Sequence, residues 1–89
     1  MSQPEILILG RDSCDDTTMS RAHLRSRGLY VTYLRVDEDP SADAWIRQLN
    51  DGNWVTPTIL LGDPSAPATI LREPSNDELD AALEAAGIR

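Results

Sequence analysis

The most constraining feature of the sequence is an unbroken apolar run, Ile-Leu-Ile-Leu, at residues 6–9, bounded by Glu5 and Gly10. A strand with one solvated face alternates apolar and polar residues, so a run without alternation predicts a strand buried on both faces. The run is too short for the core of a signal peptide or for a membrane span. We therefore expect an α/β domain organised around this strand.

Beyond this run, helix and strand signals alternate in the order β-α-β-α-β-β-α. The signals are capping residues and glycines around periodic apolar stretches, and β-branched or aromatic runs between turns. We predict strands at residues 6–9, 30–36, 58–61 and 68–71, and helices at 14–27, from the turn 37–41 to 50–52, and from 74–77 to Gly87. The first strands would pair in parallel as a right-handed βαβ unit, and the last two would form a hairpin. The expected architecture is a four-stranded mixed sheet with three helices.

The first predicted helix has clear end signals but a thin apolar stripe. Asp12 or Ser13 could cap its N-terminus, and Gly28 stands where glycine is favoured after a helix. Its stripe would consist of Met19, Ala22, and Leu24 or His23. The stripes of the later helices would be Ala44, Trp45 and Leu49, and then Leu79, Ala82, Leu83 and Ala86.

Length and composition narrow the classes of protein and partner. A chain of 89 residues suits a single domain, residues 1–89. One cysteine cannot form an internal disulfide and one histidine cannot build a usual zinc site, so we expect a core held by packing and no metal. The net charge is −7 and all eight cationic residues are arginines, so we expect no nucleic-acid or membrane partner. We expect a cytoplasmic protein, because no export signal precedes the apolar run, and we also expect a monomer.

Cys14 is the first candidate functional residue, because it follows a strand and a short loop and begins a helix. Backbone N–H groups at a helix N-terminus favour the thiolate by about 0.3–1 kcal/mol. Asp15 and Asp16 oppose ionisation, each by up to about 2 kcal/mol at about 7 Å and an effective dielectric of about 20, and Arg11 offsets part of this. We therefore predict a Cys14 pKa no lower than about 8. The alternative interpretation is that Cys14 has no reactive role and packs in the core as a small hydrophobic residue.

The second candidate feature is Thr56-Pro57, where a proline opens a predicted strand. Such a proline lies at a sheet edge, at a bulge or after a cis bond, and an ordinary trans bond is the common case. If the bond is cis, the backbone N–H and C=O of Thr56 turn away from the sheet. They could then pair with an extended ligand as an added strand would.

Together these features carry a resemblance to a known family. The stretch L-G-R-D-S-C-D-D-T at residues 9–17 resembles the active-site segment of glutaredoxins, with Thr17 where the second cysteine of C-x-x-C would stand. Residues 46–49 and 52–59 resemble the segment that leads into the T-V-P strand of that family. Residues 50–53 and 74–79 are most similar to the actinobacterial branch, the mycoredoxins. The similarity covers nearly the whole chain in order and spacing.

The resemblance implies a thioredoxin-like (glutaredoxin) fold and a thiol-disulfide oxidoreductase that reduces mixed disulfides between proteins and a low-molecular-weight thiol through Cys14. It implies no bound cofactor, with mycothiol or glutathione as the co-substrate. Without a resolving cysteine the dithiol route is closed, which leaves a monothiol mechanism. The implied thiol-binding groove consists of Arg11, Thr17, Arg47, Gln48, Thr56, Pro57, Asn76 and Asp77.

Other interpretations stay open. The missing resolving thiol and the acidic pair after Cys14 suit a catalytically degenerate module that binds a partner in the groove beside Thr56-Pro57. Regulation by S-thiolation of Cys14 is a third reading. An iron–sulfur role is not favoured, because the C-G-F-S segment of some monothiol relatives is absent. His23 lies too far along its helix to act as a base for Cys14, and Trp54 could flank the groove or pack in the core.

Overall fold

Four strands form one mixed sheet in the computed structural model, which describes residues 3–88. They are β1 (Ile6–Gly10), β2 (Thr32–Arg35), β3 (Thr58–Leu61) and β4 (Thr69–Arg72). The order across the sheet is β2-β1-β3-β4, with β1 parallel to β2, β1 antiparallel to β3, and β3 antiparallel to β4. With three helices in the predicted order, this sheet confirms the fold class as α/β and thioredoxin-like.

The three helices are α1 (Asp15–Ser26), α2 (Pro40–Leu49) and α3 (Asn76–Ala85), and they cover both faces of the sheet. Ile6 and Ile8 of β1 belong to a core cluster that includes residues of α1 and α3. Leu7 and Leu9 belong to a second cluster, on the other face, that includes residues of α2. The apolar run of β1 is therefore buried on both faces, as predicted.

The ends of α1 differ in how well the sequence predicts them. The N-cap is Cys14, and no side chain caps the helix, so the prediction of Asp12 or Ser13 is wrong. Asp12 instead accepts hydrogen bonds from side chains of β2. The C-terminal prediction is confirmed, because Gly28 has a φ of 71° and the N–H of Leu29 reaches back to the carbonyl of Leu24.

The predicted apolar stripe of α1 is largely wrong. Met19 is 55% exposed and Ala22 is also exposed, whereas Leu24 is fully buried. The other buried residues of the helix are Thr17 and Ser20. Small polar side chains turn inward because α1 approaches the sheet closely at its N-terminal end, where Thr17 packs on a glycine of β1.

The remaining elements lie close to their predicted positions. The strand predicted at 30–36 is shorter, because Tyr30 is 86% exposed and lies outside the pairing, and the strand predicted at 68–71 is displaced by one residue. In α2 the buried residues are Ala42 and Ile46, and the predicted Ala44 is exposed. In α3 the buried residues are Leu79 and Leu83, as expected. No helix within residues 3–88 has the length and apolarity needed to cross a bilayer.

Candidate active site around Cys14

Cys14 lies where the loop after β1 enters α1, in contact with the loop before β3. Its N–H donates to the carbonyl of Arg11 at 3.2 Å, which closes the turn. Its half-buried Sγ donates to the carbonyl oxygen of Thr56 at 3.4 Å. The fold thus brings together the two features that the sequence singled out, although they are 42 residues apart.

The peptide bond between Thr56 and Pro57 is cis, one of the alternatives that the sequence left open. The carbonyl of Pro57 accepts the N–H of Glu73 at 2.9 Å, which ties this loop to the segment after β4. The N–H of Thr56 has no protein acceptor within residues 3–88. The backbone of Thr56 therefore keeps a donor that the sheet does not use.

Thr17 lies one helical turn after Cys14, against the end of β1. Its side chain is 1% exposed, and its hydroxyl has no hydrogen-bond partner within the described part of the chain. The side chain packs so closely on Gly10 that a Cβ there would lie 2.7 Å from both Thr17 Oγ1 and Thr17 Cγ2. Only glycine at this strand end leaves room for the first turn of α1.

The polar groups around Cys14 decide its ionisation. Burial raises the pKa of the Cys14 thiol, but the nearby side chain of Thr56, the backbone and hydroxyl of Thr17 and the backbone of Asp16 favour the thiolate and outweigh burial, so the net pKa lies below its ordinary value. The carbonyl contact to Thr56 acts the other way, because it accepts the proton of the neutral thiol. Both carboxylates next to Cys14, those of Asp15 and Asp16, are exposed, and the opposition to ionisation expected from them stays a prediction.

Trp54 joins two of the predicted groove residues beside this loop. The guanidinium of Arg11 lies 5.7 Å from the centre of its ring, and that of Arg47 lies at 5.3 Å. The indole N–H donates to Asp43 Oδ1 at 2.7 Å, and Arg47 Nε donates to the same oxygen at 2.8 Å. These two hydrogen bonds lower the pKa of Asp43. Arg11 makes no ion pair within residues 3–88, and its Nε is buried without a partner.

The structure does not bring the other predicted groove residues into contact with Cys14. Gln48 lies on α2, in a depression that it shares with Trp45 and the turn between β3 and β4 and that Cys14 does not line. Asn76 and Asp77 are the first residues of α3, and neither side chain hydrogen-bonds within residues 3–88. The cap of α3 is closed by its neighbours: Ser75 Oγ accepts the N–H of Glu78 at 3.1 Å, and Glu78 Oε1 accepts the N–H of Ser75 at 3.0 Å.

A buried polar network supports the loop that carries Trp54 and Thr56, and the sequence offered no signal for it beyond a turn residue. Asn50 is 8% exposed, and its Nδ2 donates to Ile46 O at 2.8 Å and to Thr58 Oγ1 at 3.1 Å. Its Oδ1 accepts from Arg72 Nε at 2.7 Å. The hydroxyl of Thr58 donates to Val55 O at 2.6 Å, one residue before Thr56. The network ties α2, β3 and β4 to the loop.

A second cluster holds the loop that precedes Cys14. Asp12 accepts a hydrogen bond from the Tyr33 hydroxyl at 2.8 Å and one from Arg35 Nε at 3.0 Å, and both bonds lower its pKa. Burial and the neighbouring Asp12 raise the pKa of Tyr33 to about 12. The guanidinium of Arg21 stacks over the Tyr33 ring at 4.0 Å. The cluster joins edge strand β2 to the loop that precedes Cys14.

The site thus consists of a thiol at a helix N-terminus, a loop with a free backbone donor, and an aromatic ring flanked by two cations. Within residues 3–88, no group of three or more His, Cys, Asp or Glu side chains could hold a metal ion. Comparison of the chain with protein-family models, with curated proteins and with solved structures found no match.

Proposed function

We propose that this protein is a monothiol thiol-disulfide oxidoreductase, which reduces mixed disulfides between proteins and a low-molecular-weight thiol through Cys14. The observation that carries the proposal is the contact of Cys14 Sγ with Thr56 at the head of α1, in surroundings that lower the pKa of the thiol. A thiolate is the nucleophile in thiol–disulfide exchange, and helix N-termini favour it. The glutaredoxin-like order of the motifs agrees with this chemistry.

The proposed reaction has two exchange steps. The Cys14 thiolate attacks the small-thiol sulfur of the mixed disulfide, the disulfide bond breaks, and the protein thiolate leaves and takes a proton. Cys14 is then disulfide-bonded to the small thiol. The thiolate of a second small thiol attacks this bond, which releases the oxidised small-thiol dimer and regenerates the Cys14 thiolate. With one cysteine in the chain, no internal disulfide competes with the second step.

The groups near Cys14 suit a small thiol of polar character. The free N–H of Thr56 can pair with the backbone-like part of a cysteinyl ligand, as an added strand would. Arg11 and Arg47 around Trp54 supply cations for a polar or carboxylate end. We propose mycothiol or glutathione as the co-substrate, and the motif resemblance favours mycothiol. A reducing cytoplasm would keep Cys14 available as a thiol.

The test is a turnover assay with two peptides, one mycothiolated and one glutathionylated, each with excess free small thiol. Peptide release and the intact mass of the protein are followed together. We expect peptide release with a transient Cys14 adduct, no release by Cys14→Ser, and normal release by Met19→Leu, a change at an exposed residue of the same helix. Intact peptides beside an unmodified Cys14 would refute the proposal.

A second candidate function is a binding module that uses the same groove without chemistry. The observation that favours it is the free N–H of Thr56, which can pair with an extended peptide whether or not Cys14 reacts. The same assay separates the two functions. A binding module would retain the peptide equally well in wild type and in Cys14→Ser, with no release in either.

A further inference from the structure

The Thr17 hydroxyl is an unexplained polar group in the folded protein. It is 1% exposed and has no partner within residues 3–88, although buried hydroxyls in proteins are nearly always hydrogen-bonded. A buried unsatisfied group of this kind costs stability unless another state of the molecule uses it. Its position, one turn after Cys14, points to the sulfur as the missing partner.

The first turn of α1 also lacks a hydrogen bond that helices normally have, the one from a backbone N–H to the N-cap side chain. Cys14 is the N-cap residue, and the side chain of an N-cap normally accepts a hydrogen bond from the N–H of the second or third helical residue. Here these residues are Asp16 and Thr17, and the N-cap side chain accepts neither N–H. The thiol instead donates its proton to the carbonyl of Thr56. A protonated sulfur therefore leaves both the helix cap and the Thr17 hydroxyl unused.

We propose that Thr17 is a positioning residue for the Cys14 thiolate: when the thiol loses its proton, the sulfur leaves the Thr56 carbonyl and accepts hydrogen bonds from the Thr17 hydroxyl and the first N–H groups of α1. A thiolate has no proton to donate to a carbonyl and is a stronger acceptor than a thiol. The proton passes to solvent, and no bond to carbon or sulfur changes. The inference rests on the proposed function for its purpose, since a thiolate held at the helix head is ready for exchange.

Two further observations support this assignment. The groups that lower the pKa of Cys14 include the hydroxyl and backbone of Thr17 and the backbone of Asp16, which are the donors that a thiolate would use. The close contact between Gly10 and the Thr17 side chain holds the hydroxyl in place, because Oγ1 and Cγ2 are both wedged against the end of β1. A hydroxyl fixed before the sulfur ionises loses little freedom when the hydrogen bond forms.

The charged groups around Cys14 stay constant in the test of this assignment. They are Asp15 and Asp16 on α1 and Arg11 on the preceding loop. Asp12 is engaged by Tyr33 and Arg35 of β2. A change confined to the hydroxyl of Thr17 therefore reports the hydroxyl alone.

The experiment is a pH titration of Cys14 alkylation by iodoacetamide, on the free protein and without any disulfide substrate. Thr17→Val keeps the branched shape and removes the hydroxyl, whereas Thr17→Ser keeps the hydroxyl. Thr18→Val is the matched control, because its exposed hydroxyl bonds only to the Cys14 carbonyl oxygen at 3.3 Å. We expect the midpoint to rise by about one pH unit in Thr17→Val, which is about tenfold less thiolate at neutral pH. Thr17→Ser and Thr18→Val should titrate as the wild type does.

A wild-type midpoint in Thr17→Val, or an equal rise in Thr18→Val, would overturn the assignment. Circular dichroism checks folding, and if Thr17→Val is unfolded, a comparison of Thr17→Ala with Thr17→Ser applies the same criterion. The titration is independent of turnover. If the midpoint shifts in Thr17→Val but the wild-type protein releases no peptide, the role of Thr17 stands and the oxidoreductase proposal is refuted. If the wild-type protein turns over but the midpoint does not shift, the oxidoreductase proposal stands and the role of Thr17 is refuted.

Discussion

The contact between Gly10 and Thr17 offers a direct test of how the sheet positions α1, the helix that begins after Cys14. In Gly10→Ala the added Cβ would lie 2.7 Å from Thr17 Oγ1 and Cγ2, closer than side-chain contacts normally allow. The strain is steric, because Gly10 is not among the glycines with positive φ. Both residues are buried, so neither can move into solvent. Overpacking of this kind costs about 1–3 kcal/mol, and we expect a loss of about 2 kcal/mol in the free energy of unfolding.

Thr17→Ala removes both clashing atoms and leaves Thr17 Cβ, at 3.3 Å from the added methyl, as the nearest neighbour. In that background Gly10→Ala should cost much less, which gives a coupling energy of about 1–2 kcal/mol in a double-mutant cycle. Urea unfolding of the four proteins, followed by circular dichroism, measures each free energy.

The matched control for this cycle is Gly87→Ala. A Cβ at Gly87 meets no atom within 4 Å, and its cost comes from a φ of 74° that alanine rarely adopts. Its effect should therefore add to that of Thr17→Ala without coupling. If Gly10→Ala lowers the free energy of unfolding equally in the wild-type and Thr17→Ala backgrounds, the steric reasoning is refuted.

Two further predictions concern the clusters on either side of the site. Asn50→Ala breaks the buried network and leaves Arg72 Nε without its acceptor, so urea unfolding should show that the free energy of unfolding falls by about 2–3 kcal/mol. The control Gln48→Ala, at an exposed residue, should lower it by under about 0.5 kcal/mol. Equal losses in the two variants would contradict the importance of the network. Tyr33 has a raised pKa of about 12, so its contribution to stability is complete below the unfolded-state pKa of about 10 and is lost as the pH rises through about 12. An ultraviolet titration should show a tyrosinate step near pH 12 that is missing in Tyr33→Phe, and a wild-type protein without that late step would count against the Asp12 cluster.

Much of the fold follows from local patterns in the sequence. The run at 6–9 requires burial on both faces, and the folded β1 alternates between two core clusters. Glycines mark the ends of α1 and α3, where Gly28 and Gly87 adopt positive φ. The stripe of α1 could not be predicted, because the inward position of Thr17 depends on how closely the helix approaches Gly10. That distance is a tertiary property.

In the candidate site, too, local sequence signals predict some residues, and tertiary contacts determine the rest. Cys14 and Thr56 each carry a local signal, but their contact depends on the antiparallel pairing of β1 with β3. The sequence could not place Trp54 in the groove or in the core, because the position of its ring depends on a hydrogen bond to Asp43 of α2, which is a tertiary contact. The role of Asn50 was missed, since a polar residue at the end of a helix usually marks only a turn, whereas here its partners come from β3 and β4.

The closed cap of α3 has a consequence for how this protein can evolve. Ser75 and Glu78 complete the start of the helix between themselves, so the side chains of Asn76 and Asp77 are not needed to hold it. Mutations at these two positions can change the charge at the start of α3 with little effect on stability. Descendants of this chain could thus change the surface charge at this helix end while the scaffold stays unchanged.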